Sequence, residues 1–430
     1  MVESSALKSW ISYDEANHFP LENIPFGAFL DPKENKKACC TRIGDKVIDL
    51  SVLEHERLFD GPLFTNLDRH VFCEENLNKF MELGSAYRKE ARESLQKIFA
   101  DGSSILSEEL KAKVLFETAD VQLLLPVFIR DYTDFYSSKN HAYNVGCMFR
   151  GPDNALQPNW LHIPIGYHGR ASSIVVSGTE IRRPKGQVSA DKINPTWSQC
   201  NRLDLELEMG TFIGRANPLG DPIKVNDAKD YIFGYTLLND WSARDLQVWE
   251  YVPLGPFNAK NFASTIAPWV ITPEALEPFK TPLPEQEPKM MPYLQDKDLS
   301  SYDVSLDILI KTPKLDAPHK LATSNFKHLY YSVAQTIAHH SSTGCNMSVG
   351  DMLGSGTISG PEKSAYGSML ELCWGGKEVI ALPNGEERKF LNDGDSIILR
   401  GACKGNGYTI GFGEAEGTII PAHDESYYTA

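Results

Sequence analysis

The stretch NRLDLELEMGTF, residues 201–212, constrains this chain more than any other. Read as a strand, it sets Leu203, Leu205, Leu207 and Met209 on one face and Asp204, Glu206 and Glu208 on the other, because strand side chains alternate with a period of two. Neighbouring acids on such a face lie about 6–7 Å apart. They repel by ~2–3 kcal/mol at an effective dielectric of ~20. The apolar reverse face demands packing against a core, and no Lys or Arg interleaves the acids after Arg202. Two readings stand. Either the acids of an edge strand face water, or a hard cation bound by carboxylate oxygens turns the repulsion into attraction. An acid pair at i, i+2 is a weak motif by itself.

The rest of the chain bounds the choice. At 430 residues it is too long for one ordinary core, so two or three domains are expected. A formal net charge of −15 argues against nucleic acid or an anionic membrane as the main partner and is compatible with cations. The opening MVESSALKSWISYDEANHF lacks a basic segment followed by an apolar one, and 18 consecutive apolar residues occur nowhere. The eight cysteines form no CxxC pair. Free thiols in a reducing compartment follow, with the cytoplasm as the expected location.

Residues 38–52 alternate around a Gly-Asp turn and predict a hairpin in a small β unit. Residues 74–100 carry apolar residues at helical spacing and predict one amphipathic helix. The texture changes near Pro126, which divides the chain into 1–126 and 127–430. Beyond it the chain reads as mainly β. A strand is expected at 303–310, hairpin turns at Asn384-Gly385 and Asp393-Gly394, and a helix over 328–344 ending at Gly344. The Pro-rich stretch 279–295 reads as an exposed connection. Regular βαβ alternation is missing, which argues against a Rossmann fold or TIM barrel and for a mainly β, α+β architecture.

Further chemistry-bearing stretches share an aromatic, glycine-rich setting. In LLNDWSARDLQVWEYVPLGPFNAKNF, a helix beginning near Ser242 would gather Asp240, Arg244, Gln247 and Tyr251 on one face. A salt-bridged surface face is the plainer alternative, opposed by the flanking Trp241, Trp249 and Pro253. Lys260 follows. RDYTDFYSSKNHAYNVGCMFRG offers Asp134, Tyr136, His141 and Arg150; a lone histidine is more often structural than a base. Glycines flank Thr357 in GSGTISGP. Glu371, between Leu370 and Leu372, reads either as a buried carboxylate in need of a histidine or as an outward residue of an alternating strand. Zincin, α/β-hydrolase, P-loop and dinucleotide motifs have no foothold.

Together with HFPLENIPFGAF, NWLHIPIGYHGRASSIVVSGT and SGTISGPEKSAYGSMLEL, these stretches resemble the fumarylacetoacetate hydrolase family over nearly the whole chain. The N-terminal unit and YTDFYSS point to the branch that ends tyrosine and phenylalanine breakdown. The resemblance implies a small SH3-like N-terminal barrel, a large C-terminal β-roll domain, and a homodimer. It implies calcium or magnesium held by Asp134, Glu206, Glu208 and Asp240, with Asp204 a bystander and with magnesium also served by groups at Lys260 and Ser264. Ser264 keeps the hydroxyl where the family often has Thr, and Tyr143 stands where a smaller Thr is usual.

The implied reaction is metal-dependent hydrolysis of 4-fumarylacetoacetate to fumarate and acetoacetate. His141 acts as the base, Glu371 orients it, and Arg244, Gln247 and Lys260 donate to the developing oxyanion. Tyr136, Arg150, Tyr167, Gln247, Tyr251 and Thr357 contact the substrate. Oxaloacetate decarboxylation and acylpyruvate hydrolysis would keep the fold and change the reaction, while a cation-binding scaffold would have no turnover. A paired base and orienting carboxylate favours hydrolysis, because decarboxylation needs no activated water.

Overall fold

The computed structural model describes residues 6–14 and 16–429, so residues 1–5 and 15 of the acidic opening lie outside it. An antiparallel sheet opens the chain, in the order Leu115–Glu117, Lys46–Asp49, Lys36–Ile43, Phe26–Asp31, Gln122–Leu123. Its central hairpin, Lys36–Ile43 with Lys46–Asp49, is the one expected within 38–52. The single helix expected over 74–100 is instead two, Asn78–Met81 and Ser85–Phe99. Gly84 takes φ 85° and donates its N–H to the Met81 carbonyl at 3.1 Å, a left-handed stop that apolar spacing does not reveal. The helical face persists on the longer piece, where Ala91, Leu95, Ile98 and Phe99 are buried.

Two larger sheets follow. The first has seven strands, ordered Gly166–His168, Tyr132–Phe135, Met352–Gly354, Leu207–Ile213, Ile232–Asp240, Ser264–Ile266, Ile174–Val176. It is mixed: 352–354 with 132–135 and 264–266 with 174–176 run parallel, and the other neighbours antiparallel. The second is ordered His319–Asn325, Ser305–Lys311, Ser396–Lys404, Thr409–Ile420, Ile181–Arg182. Leu237 of the first sheet and Leu306, Leu399 and Phe412 of the second share one core. The N-terminal part docks onto this body. Arg88 of the 85–99 helix donates to the carbonyls of Ile232 and Phe233 at 2.9 and 3.0 Å and pairs with Glu274 at 2.8 Å.

Other expectations shift in detail. The helix after 328 is shorter, Val333–Ser341, because Ser332 closes a capping box with Gln335. Asn384-Gly385 turns a short hairpin, Ile380–Ala381 with Glu387–Arg388. Asp393-Gly394 joins no hairpin; it feeds the 396–404 strand, whose partners are 305–311 and 409–420. The 279–295 stretch is no plain exposed connection, since Leu283, Met290 and Leu294 anchor it in the core. Among the described residues, no helix is long and apolar enough to cross a membrane.

Candidate active site

Strands of the seven-stranded sheet deliver three of the acids to one place. Asp134 lies on 132–135, Glu208 on 207–213 and Asp240 at the end of 232–240, in register with Ser264. The 203–213 stretch is not one strand. Leu203–Asp204 pairs with Ser242–Ala243, and Leu207–Ile213 pairs with Ile232–Asp240. Glu206 sits in the gap and bridges to Ser368. Asp204, Glu206 and Glu208 are 0%, 5% and 0% exposed, so the water-facing edge-strand reading is excluded. One carboxylate oxygen from each of Asp134, Glu206, Glu208 and Asp240 lies within 4.8 Å of the others.

Positive charge reaches only half of this cluster. The Lys260 ammonium contacts Glu206 and sits 2.7 Å from Asp240 Oδ2, and Arg244 Nη2 is 2.8 Å from Glu206 Oε1. Tyr167 donates its hydroxyl to Asp240 Oδ2 at 2.9 Å, and Ser264 donates to Oδ1 at 2.7 Å. Burial opposes ionisation of Glu206, yet Lys260 and Arg244 outweigh it and hold that carboxyl below the usual range. Asp134 and Glu208 have far less. Both accept from the Gly356 N–H, at 3.2 and 3.1 Å, and Glu208 Oε1 is buried with no hydrogen-bond partner. Burial and the neighbouring acids push both carboxyls up.

These residues fit a hard divalent cation. The donors are carboxylate oxygens, one is orphaned, and two lack compensating charge. Gly354, in register with Asp134, keeps the space open: a methyl group there would sit 2.5 Å from Asp134 Oδ1 and 3.0 Å from Glu208 Oε2. Lys260 meets these acids as a cation. Its amine pKa is raised by Asp240 and Glu206 against the cost of burial, and a protonated amine has no lone pair to give a cation. It supplies counter-charge instead. Asp240 is not on the helix with Arg244. The helix runs Arg244–Glu250, and Asp240 ends the preceding strand.

Beside the acids stands a histidine on a built support. Ser138 caps the helix Lys139–Arg150, and the cap fixes His141 at its third position. His141 Nδ1 lies 2.7 Å from Glu371 Oε2, and Nε2 lies 4.0 Å from Glu206 Oε1. Glu371 is fully buried on the short helix Met369–Leu372, so neither strand nor outward orientation applies. Ser359 and Ser368 donate to its Oε2 at 2.9 and 2.8 Å, and Asn144 donates to Oε1 at 2.9 Å. Burial resists charge on Glu371, but His141 and these donors hold its carboxyl below the usual range.

Asp134, Glu206, Glu208 and His141 face one cavity of about 450 Å³. Its walls include Tyr136, Arg150, Tyr167, Gln247, Tyr251 and Thr357. Arg150 spends two donors on the carbonyls of Asn154 and Ala155, at 3.0 and 2.6 Å. Gln247 accepts from Arg244 Nη1 at 3.2 Å, which leaves its amide group toward the cavity. Tyr143 points away, 45% exposed, and does not crowd the base. Asp204 stays outside the four-acid cluster, as the resemblance implied, and has a structural task of its own. It accepts Arg244 Nε at 2.8 Å and the amides of Met369 and Leu370 at 2.8 and 3.0 Å, tying the guanidinium to the helix that carries Glu371. Sequence reading missed Asn144, Ser359 and Ser368; only the i, i+3 spacing of Asn144 from His141 offered a signal.

Comparison with known proteins places the chain in a family. A family profile described as fumarylacetoacetate (FAA) hydrolase, C-terminal, matches residues 131–420, and one described as fumarylacetoacetase, N-terminal, matches residues 22–126. The chain is 54% identical to a fumarylacetoacetase of Dictyostelium discoideum, covering 97% of this chain and 99% of the relative. It is 48% identical to the fumarylacetoacetase of Homo sapiens, covering 96% and 99%. Its fold resembles a fumarylacetoacetate hydrolase from psychrophilic Exiguobacterium antarcticum, with TM-score 0.52 at 15% identity, covering 93% of this chain and all of that one.

Proposed function

The chain belongs to the fumarylacetoacetate hydrolase family, and from that premise we propose how its site hydrolyses 4-fumarylacetoacetate to fumarate and acetoacetate. The observation that carries the reading is the buried His141–Glu371 pair, 2.7 Å apart, beside the four-carboxylate cluster. Asp134, Glu206, Glu208 and Asp240 hold a divalent cation, calcium or magnesium, which when bound supplies Lewis-acid polarisation of a 1,3-dicarbonyl. With Nδ1–H donated to Glu371, His141 keeps Nε2 as the acceptor and takes a proton from water. The oxygen of that water adds to the fumaryl ketone carbon. Gln247, Lys260 and Arg244 place N–H groups toward the developing oxyanion. The carbon–carbon bond then breaks, its electron pair leaves with the acetoacetate fragment as an enolate, and the His141 imidazolium returns the proton to the enolate's terminal carbon, which becomes the methyl group of acetoacetate. Arg150 presents its remaining nitrogen to a terminal carboxylate. Tyr136, Tyr167, Tyr251 and Thr357 shape the remaining walls.

Residues 1–126 form an SH3-like barrel domain and residues 127–430 the catalytic β-roll domain; the enzyme works in the cytoplasm as a homodimer. Family membership supports these assignments. The test is a spectrophotometric assay with added magnesium or calcium, comparing fumarylacetoacetate with simple acylpyruvates. Preferred cleavage of fumarylacetoacetate, lost in His141→Ala with metal binding retained, is expected. Cleavage of acylpyruvates alone, or near-normal turnover without His141, overturns the reading.

A further inference from the structure

Outside the catalytic cavity, a second cluster of metal-ligating side chains lies in the N-terminal part. Glu54 and His55 end the helix Leu50–His55. His70 and Cys73 belong to the segment 66–77 that follows Pro62–Thr65. Glu54 draws the two together, because its carboxylate accepts the amides of Val71 and Phe72 at 2.9 and 3.0 Å. Its Oε2 then faces His70 Nδ1 at 3.4 Å and Cys73 Sγ at 3.8 Å. His55 Nε2 stands 3.3 Å from the same sulfur, and the two imidazole rings are 4.5 Å apart.

These separations are those of a coordination polyhedron. Zinc bonds of about 2.0–2.3 Å in tetrahedral array set ligand atoms roughly 3.3–3.8 Å apart. The three measured contacts, 3.3, 3.4 and 3.8 Å, fall on such edges. One ligand atom each from Glu54, His70 and Cys73 lies within 4.8 Å of the other two, and His55 approaches from the sulfur side. Glu54 is 8% exposed, and among the described residues His70 is the only basic side chain at ion-pair distance from it. Cys73 and His70 are exposed, which gives an ion a way in. Thiolate, two imidazoles and one carboxylate make a borderline-soft donor set, unlike the all-oxygen catalytic cluster.

We infer that Glu54, His55, His70 and Cys73 form a second metal site, which takes a zinc-class cation and staples the 66–77 segment to the 50–55 helix. Binding replaces the sulfur–hydrogen bond of Cys73 by a sulfur–metal bond and releases that proton to solvent. The test uses the full chain, stripped with a chelator and titrated with cobalt(II), then zinc. A thiolate-to-cobalt charge-transfer band is expected, saturating at one cobalt per chain and erased by zinc. The catalytic carboxylates hold no sulfur and cannot produce it. Cys73→Ser should abolish the band and His70→Ala should weaken cobalt affinity by about tenfold or more. Both should leave hydrolysis in excess magnesium unchanged. Zinc should also shield Cys73 from alkylation in the folded wild-type chain. No band in the wild type, an undiminished band in Cys73→Ser, or alkylation of Cys73 at the same rate with and without zinc overturns the inference.

Discussion

Asp204 and Arg244, forty residues apart in sequence, meet at 2.8 Å in the core, both almost fully buried. The pair sets where the guanidinium points. With Nε held by Asp204, Nη2 falls 2.8 Å from Glu206 and Nη1 reaches Gln247. Asp204→Asn removes the charge that anchors this arrangement and leaves a buried cation half-compensated. Breaking such a pair costs about 3–5 kcal/mol. Urea unfolding should show a lower midpoint with an unchanged slope, and turnover should fall with it. Wild-type stability together with full activity would show that Glu206 alone positions Arg244.

Glu371→Gln tests the orientation of the base. The replacement keeps the shape but places an amide against the donors that the carboxylate now accepts, the His141 ring and the Ser359 and Ser368 hydroxyls. A loss of roughly 10²–10⁴-fold in kcat is expected, the range in which a positioned acid–base pair contributes. Magnesium or calcium affinity, measured by titration calorimetry, should hardly change. An unaltered rate would mean that another group orients the imidazole.

The alternation in LDLELEM made both the apolar packing and the acid cluster legible, because a period of two survives whatever the strand pairs with. The break at Glu206 was not legible. It arises because the segment leaves one ladder to bridge Ser368, a partner 162 positions away. The structural task of Asp204 was hidden for the same reason, since its partners Arg244, Met369 and Leu370 lie on other elements. Of the two readings of Glu371, the buried carboxylate facing a histidine holds and the alternating strand fails, because the short helix capped by Ser368 carries it. In the N-terminal part, apolar spacing carried across Gly84 although the backbone did not. There the convergence of His70 and Cys73 with Glu54 and His55 required the fold.

Gly354→Ala should act on the cation rather than on the fold. The position pairs with Gly210 and Asp134 in a well-ordered strand, so alanine suits the backbone. Its methyl group would, however, press on Asp134 Oδ1 and Glu208 Oε2 from 2.5 and 3.0 Å. Overpacking of this kind costs about 1–3 kcal/mol. A displaced carboxylate should lower divalent-cation affinity by about tenfold or more, as disturbed ligand support does elsewhere. Titration calorimetry reads the affinity, and thermal unfolding of the metal-free protein reads the fold. Unchanged affinity would mean that Asp134 and Glu208 do not share the ion.

The same two carboxylates should make the metal-free protein respond to pH in a defined direction. Burial and the negative charges around it raise the Asp134 carboxyl from 3.8 to about 8, and Glu208 moves the same way. A carboxyl whose folded value exceeds its unfolded one favours folding while protonated. Its contribution is complete below the unfolded value near 4 and is lost as pH climbs through the folded value. Glu206 and Glu371 are shifted the opposite way, so total stability mixes both signs. Asp134→Asn isolates the first, because an amide mimics the protonated acid at every pH. Metal-free Asp134→Asn should therefore unfold at a higher temperature than metal-free wild type. The gap should widen from about pH 5 toward pH 8 and reach the order of 2–4 kcal/mol. Saturating magnesium or calcium should invert the order, because the wild type gains the binding energy that the variant has lost. A gap that stays flat with pH, or an order that metal leaves untouched, would show that Asp134 carries no surplus negative charge for an ion to neutralise.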